Sequence, residues 1–359
     1  MTGSVLAGQP LDLAALRAQV DTVLRNFLAG KAAAAQCLPA EAPGALRDFL
    51  AAGGKRIRPL LCGVGWHAVG GAERTPVPVL RVAAALEMFH AFCLIHDDVM
   101  DNSATRRGRP TVQRALAAAH QDRGRAAADR LGASAAILIG DLALTWSDEL
   151  LHTAGLTPAQ LTAVLPVVDT MRTEVVYGQY LDLLATGIPS DDLGIPLQVI
   201  RYKTAKYTIE RPLQIGAALA GAGRALLDVL SAYALPLGEA FQLRDDLLGV
   251  FGSPEVTGKP GLDDLRDGKH TVLLALGLQR ADALQRQALR TLVGDPALDE
   301  DGADRIREVL ISTGACSEVE DMISARHAQA VQAISRQALP PAAAAVLREL
   351  AAAATARTA

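Results

Sequence analysis

Two pairs of adjacent aspartates, Asp97-Asp98 and Asp245-Asp246, lie inside long apolar runs. Carboxylates there are costly unless something binds them. The first pair opens Asp97-Asp98-Val99-Met100-Asp101, directly after His96. Asp97 and Asp101 are four residues apart, so on a helix they share a face, roughly 6 Å apart along the axis. Like charges at that spacing repel unless a cation lies between them. Carboxylate, water and phosphate oxygens are the ligand set Mg²⁺ prefers, and the alternate-position ligands and trailing glutamate of an EF-hand loop are missing. The second pair closes Phe241-Gln242-Leu243-Arg244-Asp245-Asp246, with Gln242 and Asp245 sharing a face. Two acidic helix ends in one apolar bundle can share a cluster of metals, so Asp97, Asp98, Asp101, Asp245 and Asp246 are the candidate ligands.

Basic residues accompany these acids. Gly53-Gly54-Lys55-Arg56-Ile57-Arg58-Pro59 sets three cations beside a flexible glycine pair and a helix-starting proline. Arg106-Arg107-Gly108 follows the first acidic motif, and Lys203, Lys206 and Lys259 recur later. Acidic clusters flanked in this way suggest a diphosphate held jointly by metal and by arginine forks. The run 252–259 looks like a phosphate-binding P-loop but is one residue too long, and Pro260 stands where Ser or Thr would bind magnesium.

The elements that must position these groups read as helices throughout. Apolar residues recur at helical steps over 11–28, 77–101, 133–154, 161–185, 199–222, 225–250 and 272–284, and no useful strand alternation occurs. The 359 residues are 50% hydrophobic, so a sizeable core is possible, and no linker divides them. We therefore expect one all-α domain over 1–359, with 1–10 and 341–359 disordered or frayed. A net charge of −4 and 4% aromatics disfavour nucleic acid as a partner. Cys37, Cys62, Cys93 and Cys316 are scattered, which fits a reducing, cytoplasmic setting. The N-terminus lacks the pattern of a secretion signal, and the most apolar stretch, 133–145, is too short to span a bilayer.

In this order, GGKRIRP, HDDVMDNSATRRGRP, GQYLDL, KTAKYT, FQLRDD and TGKPGLDDLRDGKHT resemble the trans-isoprenyl diphosphate synthases, or polyprenyl synthetases. The resemblance implies the isoprenoid-synthase helical bundle around a central cavity, a homodimer, several Mg²⁺ ions, and condensation of isopentenyl diphosphate with an allylic diphosphate. It implies that Asp97 and Asp101 bind magnesium with the allylic diphosphate, and that Asp245 holds a further ion. Lys55, Arg58, His90 and Arg107 look like the isopentenyl diphosphate pocket. Arg106, Lys203 and Lys259 look like the allylic diphosphate clamp, supported by Gln179 and Asp182. Lys203, Thr204 and Gln242 would act at the reacting end, with Thr204 and Gln242 facing the developing carbocation. Gly249 departs from the pattern, since the third position of the second acidic motif is usually Asp. A third acidic motif, Asp263-Asp264-Leu265-Arg266-Asp267, could serve the metals through water or simply cap a loop.

The resemblance implies that the product grows beneath the first acidic motif, so that residues one helical turn before Asp97 would form the floor. Here they are Phe92 and Cys93, with Phe89 nearby. A single aromatic beside a small residue resembles geranylgeranyl synthases, with farnesyl and longer-chain synthases as the alternatives. A class I terpene cyclase would share the fold, but 13 aromatics (2 Trp, 5 Tyr, 6 Phe) make a poor carbocation-steering cavity. A regulatory subunit of a heteromeric prenyltransferase would be expected to have lost the first acidic motif.

Overall fold

Helices form over the stretches that the sequence pattern marks, although several of their ends fall elsewhere. The computed structural model describes residues 11–34, 39–70, 74–252 and 262–355. The described chain is helical apart from its loops and one two-residue strand pair. Packing groups it into two compact units.

The first unit comprises Asp12–Gly63 and Glu73–Pro158. It holds α1 (Leu13–Ala34), α2 (Glu41–Ala51), the start of α3 (Ile57–His67), α4 (Val77–Met100), β1 (Thr105–Arg106), β2 (Arg109–Pro110), α5 (Val112–Ala119) and α6 (Arg125–His152). Helix α4 matches the periodic stretch read from the sequence to within a residue. It is buried along most of its length, including Val82, Met88, Phe89 and Ile95, and packs chiefly on α6 and α1. Among the described residues it is the one helix long and apolar enough to cross a membrane, and 67% of its most apolar window lies inside the protein, as in a core helix. Helix α6 starts eight residues before the expected 133, because Gly124, at φ 81, starts it at a turn the apolar pattern does not mark.

Among the described residues, the second unit comprises Leu11, 64–70, 159–252 and 262–355. Its elements are α7 (Pro158–Ala185), α8 (Gly194–Val199), a π-helical segment (Ile200–Glu210), α9 (Arg211–Leu219), α10 (Arg224–Phe251), α11 (Asp263–Arg266), α12 (Val272–Arg280), α13 (Ala283–Leu292), α14 (Glu300–Ser312), α15 (Ala315–Ser335) and α16 (Pro341–Thr355). Helix α10 is the hub, packed on α15 and on the π segment. The helix expected over 272–284 ends at Arg280, because Asp282 caps α13 in a capping box with Gln285. The tail expected to fray from 341 is instead α16. It buries Ala343, Val346 and Leu347, and the Tyr233 hydroxyl donates to the Leu347 carbonyl at 2.7 Å.

Candidate active site

In the first unit, α4 delivers the first acidic motif at its final turn. Asn102, at φ 51, takes the left-handed conformation that asparagine tolerates. Its N–H bonds Val99 O at 3.3 Å, and the N–H of Ser103 bonds Asp98 O at 2.9 Å, a Schellman stop that leaves Asp101 as the cap. Asp97 is half-buried and Asp101 exposed. Asp98, expected among the metal ligands, lies 100° round the helix from Asp97 and is only 2% exposed. Arg106 Nε donates to both of its oxygens, at 2.8 and 2.9 Å. Its carboxylate therefore serves as the anchor for Arg106, whose Nη2 also reaches Asp97 at 3.3 Å.

Arg106 sits on the β1–β2 hairpin, where it pairs with Arg109. Arg107 and Gly108, at φ 54 and 72, form the turn between them, a type I′ geometry that is strained for arginine. The strain presents Arg107 to the Gly53-Gly54 loop, where its guanidinium donates to Gly53 O. A Cβ on Gly54 would lie 2.9 Å from Arg107 Nη2, so the glycine permits the approach. Burial, with Arg56, Arg106 and Arg58 only partly offset by Glu87, presses Arg107 below its usual range. His90 is pushed well below the usual histidine range by burial and then by Arg58, Arg107, Arg106 and Arg56, so near neutrality it adds no charge. Lys55 is exposed and Arg58 half-buried. Arg56, the middle cation of the loop, turns inward and bonds Glu87 Oε1 at 2.7 Å. The result is a neutral imidazole among guanidiniums with a net positive field, which suits a dianionic diphosphate.

Of the residues expected to shape the floor, Phe89 is 2% exposed and belongs to the core. Phe92 is half-buried, braced by the Phe89 ring at 5.3 Å and edge-on against His96 at 4.7 Å. Cys93 is half-buried beside it.

In the second unit, Lys203 and Thr204 fall within the π segment rather than in the regular helix expected over 199–222. Such wide turns recur at functional sites. Two glycines make the packing possible: a Cβ on Gly178 of α7 would stand 2.5 Å from Lys203 N, and one on Gly238 of α10 2.3 Å from Ala205 Cα. Lys203 Nζ bonds Asp182 Oδ2 at 2.6 Å. Thr204 Oγ1 donates to Gln242 Oε1 at 2.8 Å, and Gln242 Nε2 to Asp246 Oδ1 at 2.9 Å. Lys269 Nζ completes the network at 2.9 Å from the same Asp246 oxygen. Together with Pro196 and His270 these groups border a cavity of about 40 Å³, room for a water. Gln179 lies half-buried on α7.

The second acidic pair divides as the first does. Asp245 is exposed, whereas Asp246, also expected to bind metal, is 3% exposed and held by Lys269. Lys269 was not among the expected site residues. The second Gly-Lys of TGKPGLDDLRDGKHT was its signal in the sequence. Burial opposes its charge, but Asp246, Asp264 and Asp182 hold its pKa well above the usual value. The departure at Gly249 has a steric counterpart: a Cβ there would lie 2.4 Å from Asp264 Oδ2, so the carboxylate of the third motif fills that space. Lys259 lies outside the described residues, and among those described no three His, Cys, Asp or Glu side chains converge as a metal-holding group.

Comparison with known proteins gives this chemistry a lineage. The polyprenyl synthetase family model matches residues 41–310. A geranylgeranyl pyrophosphate synthase from Corynebacterium glutamicum, crystallised with isoprenyl diphosphate and magnesium, superposes with a TM-score of 0.92 and 40% identity, over 97% of this chain and 100% of its own. The geranylfarnesyl diphosphate synthase of Aeropyrum pernix is 34% identical over 79% of this chain and 83% of its own. The (2E,6E)-farnesyl diphosphate synthase of Mycobacterium tuberculosis is 32% identical over 83% of this chain and 78% of its own. The chain belongs to the polyprenyl synthetase family and is a trans-prenyltransferase.

Proposed function

We propose that this prenyltransferase joins isopentenyl diphosphate to a dimethylallyl, geranyl or farnesyl diphosphate and releases geranylgeranyl diphosphate. In this reading Asp97, Asp101 and Asp245 hold Mg²⁺ together with the allylic diphosphate. The donor chemistry fits: these carboxylates are the less buried members of their motifs, and Mg²⁺ takes one or two carboxylates plus waters and substrate phosphate. Bound there, it offsets charge building on the leaving diphosphate. Arg106, Lys203 and Lys259, with Gln179 and Asp182, position that diphosphate. Lys55, Arg58 and Arg107 hold isopentenyl diphosphate, and His90 offers it a neutral hydrogen bond. The oxygens of Thr204 and Gln242 stabilise positive charge on the allylic carbon. The double bond of isopentenyl diphosphate attacks that carbon, and a proton lost to the departing diphosphate restores the double bond. Asp264, in the space left at Gly249, adds its charge to the second acidic cluster.

Product length rests on Phe92, because the relatives' names span farnesyl, geranylgeranyl and geranylfarnesyl products. Phe92 precedes Asp97 by five residues on α4 and is braced on two sides, with the smaller Cys93 next to it. Purified enzyme with Mg²⁺, isopentenyl diphosphate and each allylic primer should give geranylgeraniol after dephosphorylation, and Phe92→Ala should give longer alcohols. Farnesol or longer alcohols from the unaltered enzyme, or an unchanged product from Phe92→Ala, would sink this assignment.

A homodimer forms part of the same proposal. Helix α7 and the turn after it expose Val176, Tyr177, Tyr180, Leu183, Leu184 and Ile188, an apolar stripe larger than scattered surface residues make. Sedimentation should report a dimer, and Tyr180→Asp with Leu184→Asp a monomer. A monomeric unaltered enzyme would exclude it.

A further inference from the structure

Lys206 and Arg211 are five residues apart, yet both ion-pair with one carboxylate, that of Glu174 on α7. On an α-helix residues at this spacing point about 140° away from each other, toward different faces. Here the backbone N–H of Arg211 donates to the carbonyl of Lys206. That bond is the i→i+5 link of a π turn, which brings its two ends onto one face as i and i+4 are brought in an α-helix. Glu174 therefore grips the two residues joined by the last π bond. Arg211 meets it as a fork, Nε to Oε2 at 2.8 Å and Nη2 to Oε1 at 2.8 Å, while Lys206 Nζ bonds Oε1. The remaining Arg211 Nη1 donates to Gln214 Oε1 at 2.7 Å, and Gln214 Nε2 donates to Ser231 Oγ of α10 at 2.8 Å. Although burial opposes its charge, Arg211 and Lys206 hold the Glu174 pKa below the usual carboxylate range. One helical turn further along α7, Gly178 lies against the backbone of Lys203. Helix α7 thus holds the π segment at both the residues that face the chemistry and the turn that ends the segment.

We propose that Glu174 is a positioning residue whose carboxylate staples the last π turn, keeping Lys203 and Thr204 on the face they share with Asp182 and Gln242. The proposal rests on the assignment of Lys203 and Thr204 to the allylic end of the reaction. A π turn has no intrinsic advantage over α winding. If it relaxed, everything before it would shift by about one residue in facing, and Lys203 would leave Asp182.

The test compares Glu174→Gln, Glu174→Asp and, as a control, Glu318→Gln, which removes the exposed ion pair to Arg280. Kinetics with both substrates are read beside amide hydrogen exchange over 200–211. Glu174→Gln should lower kcat roughly ten- to a hundredfold, the scale of a small misplacement of reacting groups. It should leave the KM for isopentenyl diphosphate unchanged and speed exchange over 200–211 selectively. Glu174→Asp should retain most of both properties, and Glu318→Gln should alter neither. Unchanged exchange over 200–211 in Glu174→Gln overturns the staple, as does an increase spread evenly over the chain, which would make Glu174 a general stabiliser. Lys203→Ala separates the two ideas. If it leaves kcat intact, the assignment of Lys203 fails, while exchange over 200–211 still judges the staple.

Discussion

Asp97→Ala is expected to lower kcat on the order of 10³-fold, the upper range for removing one preorganised electrostatic group at a reacting centre. The argument starts from the last turn of α4. Asp97 and Asp101 lie on one face, the Schellman stop at Asn102 fixes where that face ends, and Asp98 is turned away into its pair with Arg106. A magnesium–diphosphate group bound at this turn would lose one of its two carboxylate supports. Turnover should recover only partly as Mg²⁺ is raised, because the loss is in the reacting state as well as in metal affinity. Steady-state kinetics over a Mg²⁺ series, with circular dichroism to establish folding, make the measurement. A folded Asp97→Ala enzyme within tenfold of the original kcat would remove Asp97 from the site.

The second large effect falls on stability, at the middle cation of the glycine loop, which turns inward to Glu87. Arg56→Ala should cost about 3–5 kcal/mol, the range for removing one partner of a buried ion pair. Arg56 is 6% exposed and Glu87 3%. The guanidinium donates to Glu87 Oε1 at 2.7 Å, to Asp21 Oδ1 at 2.9 Å and to Leu50 O at 2.6 Å, tying the glycine loop to α1, α2 and α4. Burial opposes the Arg56 charge, but Glu87 and Asp21 more than offset it, so its pKa is raised. Once the arginine is gone, Glu87 keeps the desolvation penalty without the attraction. Replacing both partners, as Arg56→Met with Glu87→Leu, should recover much of the loss, because two apolar groups leave no unpaired charge. Urea unfolding monitored by circular dichroism supplies the test. A midpoint for Arg56→Ala equal to that of the unaltered protein would show that the pair contributes nothing net.

Much of this was legible in the residues. The span of α4 and the shared face of Asp97 and Asp101 follow from helical periodicity and a spacing of four, both local properties of the chain. The basic character of the glycine loop and of the Arg106-Arg107 turn could likewise be read directly. Less legible was which member of each group faces inward. In Asp97-Asp98 and Asp245-Asp246 the two side chains are chemically identical. The choice is made by Arg106, eight residues on, and by Lys269, 23 residues on. In Lys55-Arg56-Arg58 it is made by a positive φ at Arg56 and by Glu87, 31 residues away.

The sequence by itself determined an all-helical chain, the acidic and basic motifs and their order, and hence the family, because each depends on residue type and short-range spacing. Tertiary structure alone decided which carboxylates lie nearer the surface and which become buried anchors, since that turns on charge partners distant in sequence. It also decided that Lys203 and Thr204 sit in a π segment rather than in a plain helix. The helical period over 199–222 does not distinguish π from α winding there. The segment is held by Glu174 on one flank and by the close approach of Gly178 and Gly238, contacts that exist only once α7 and α10 have packed against it.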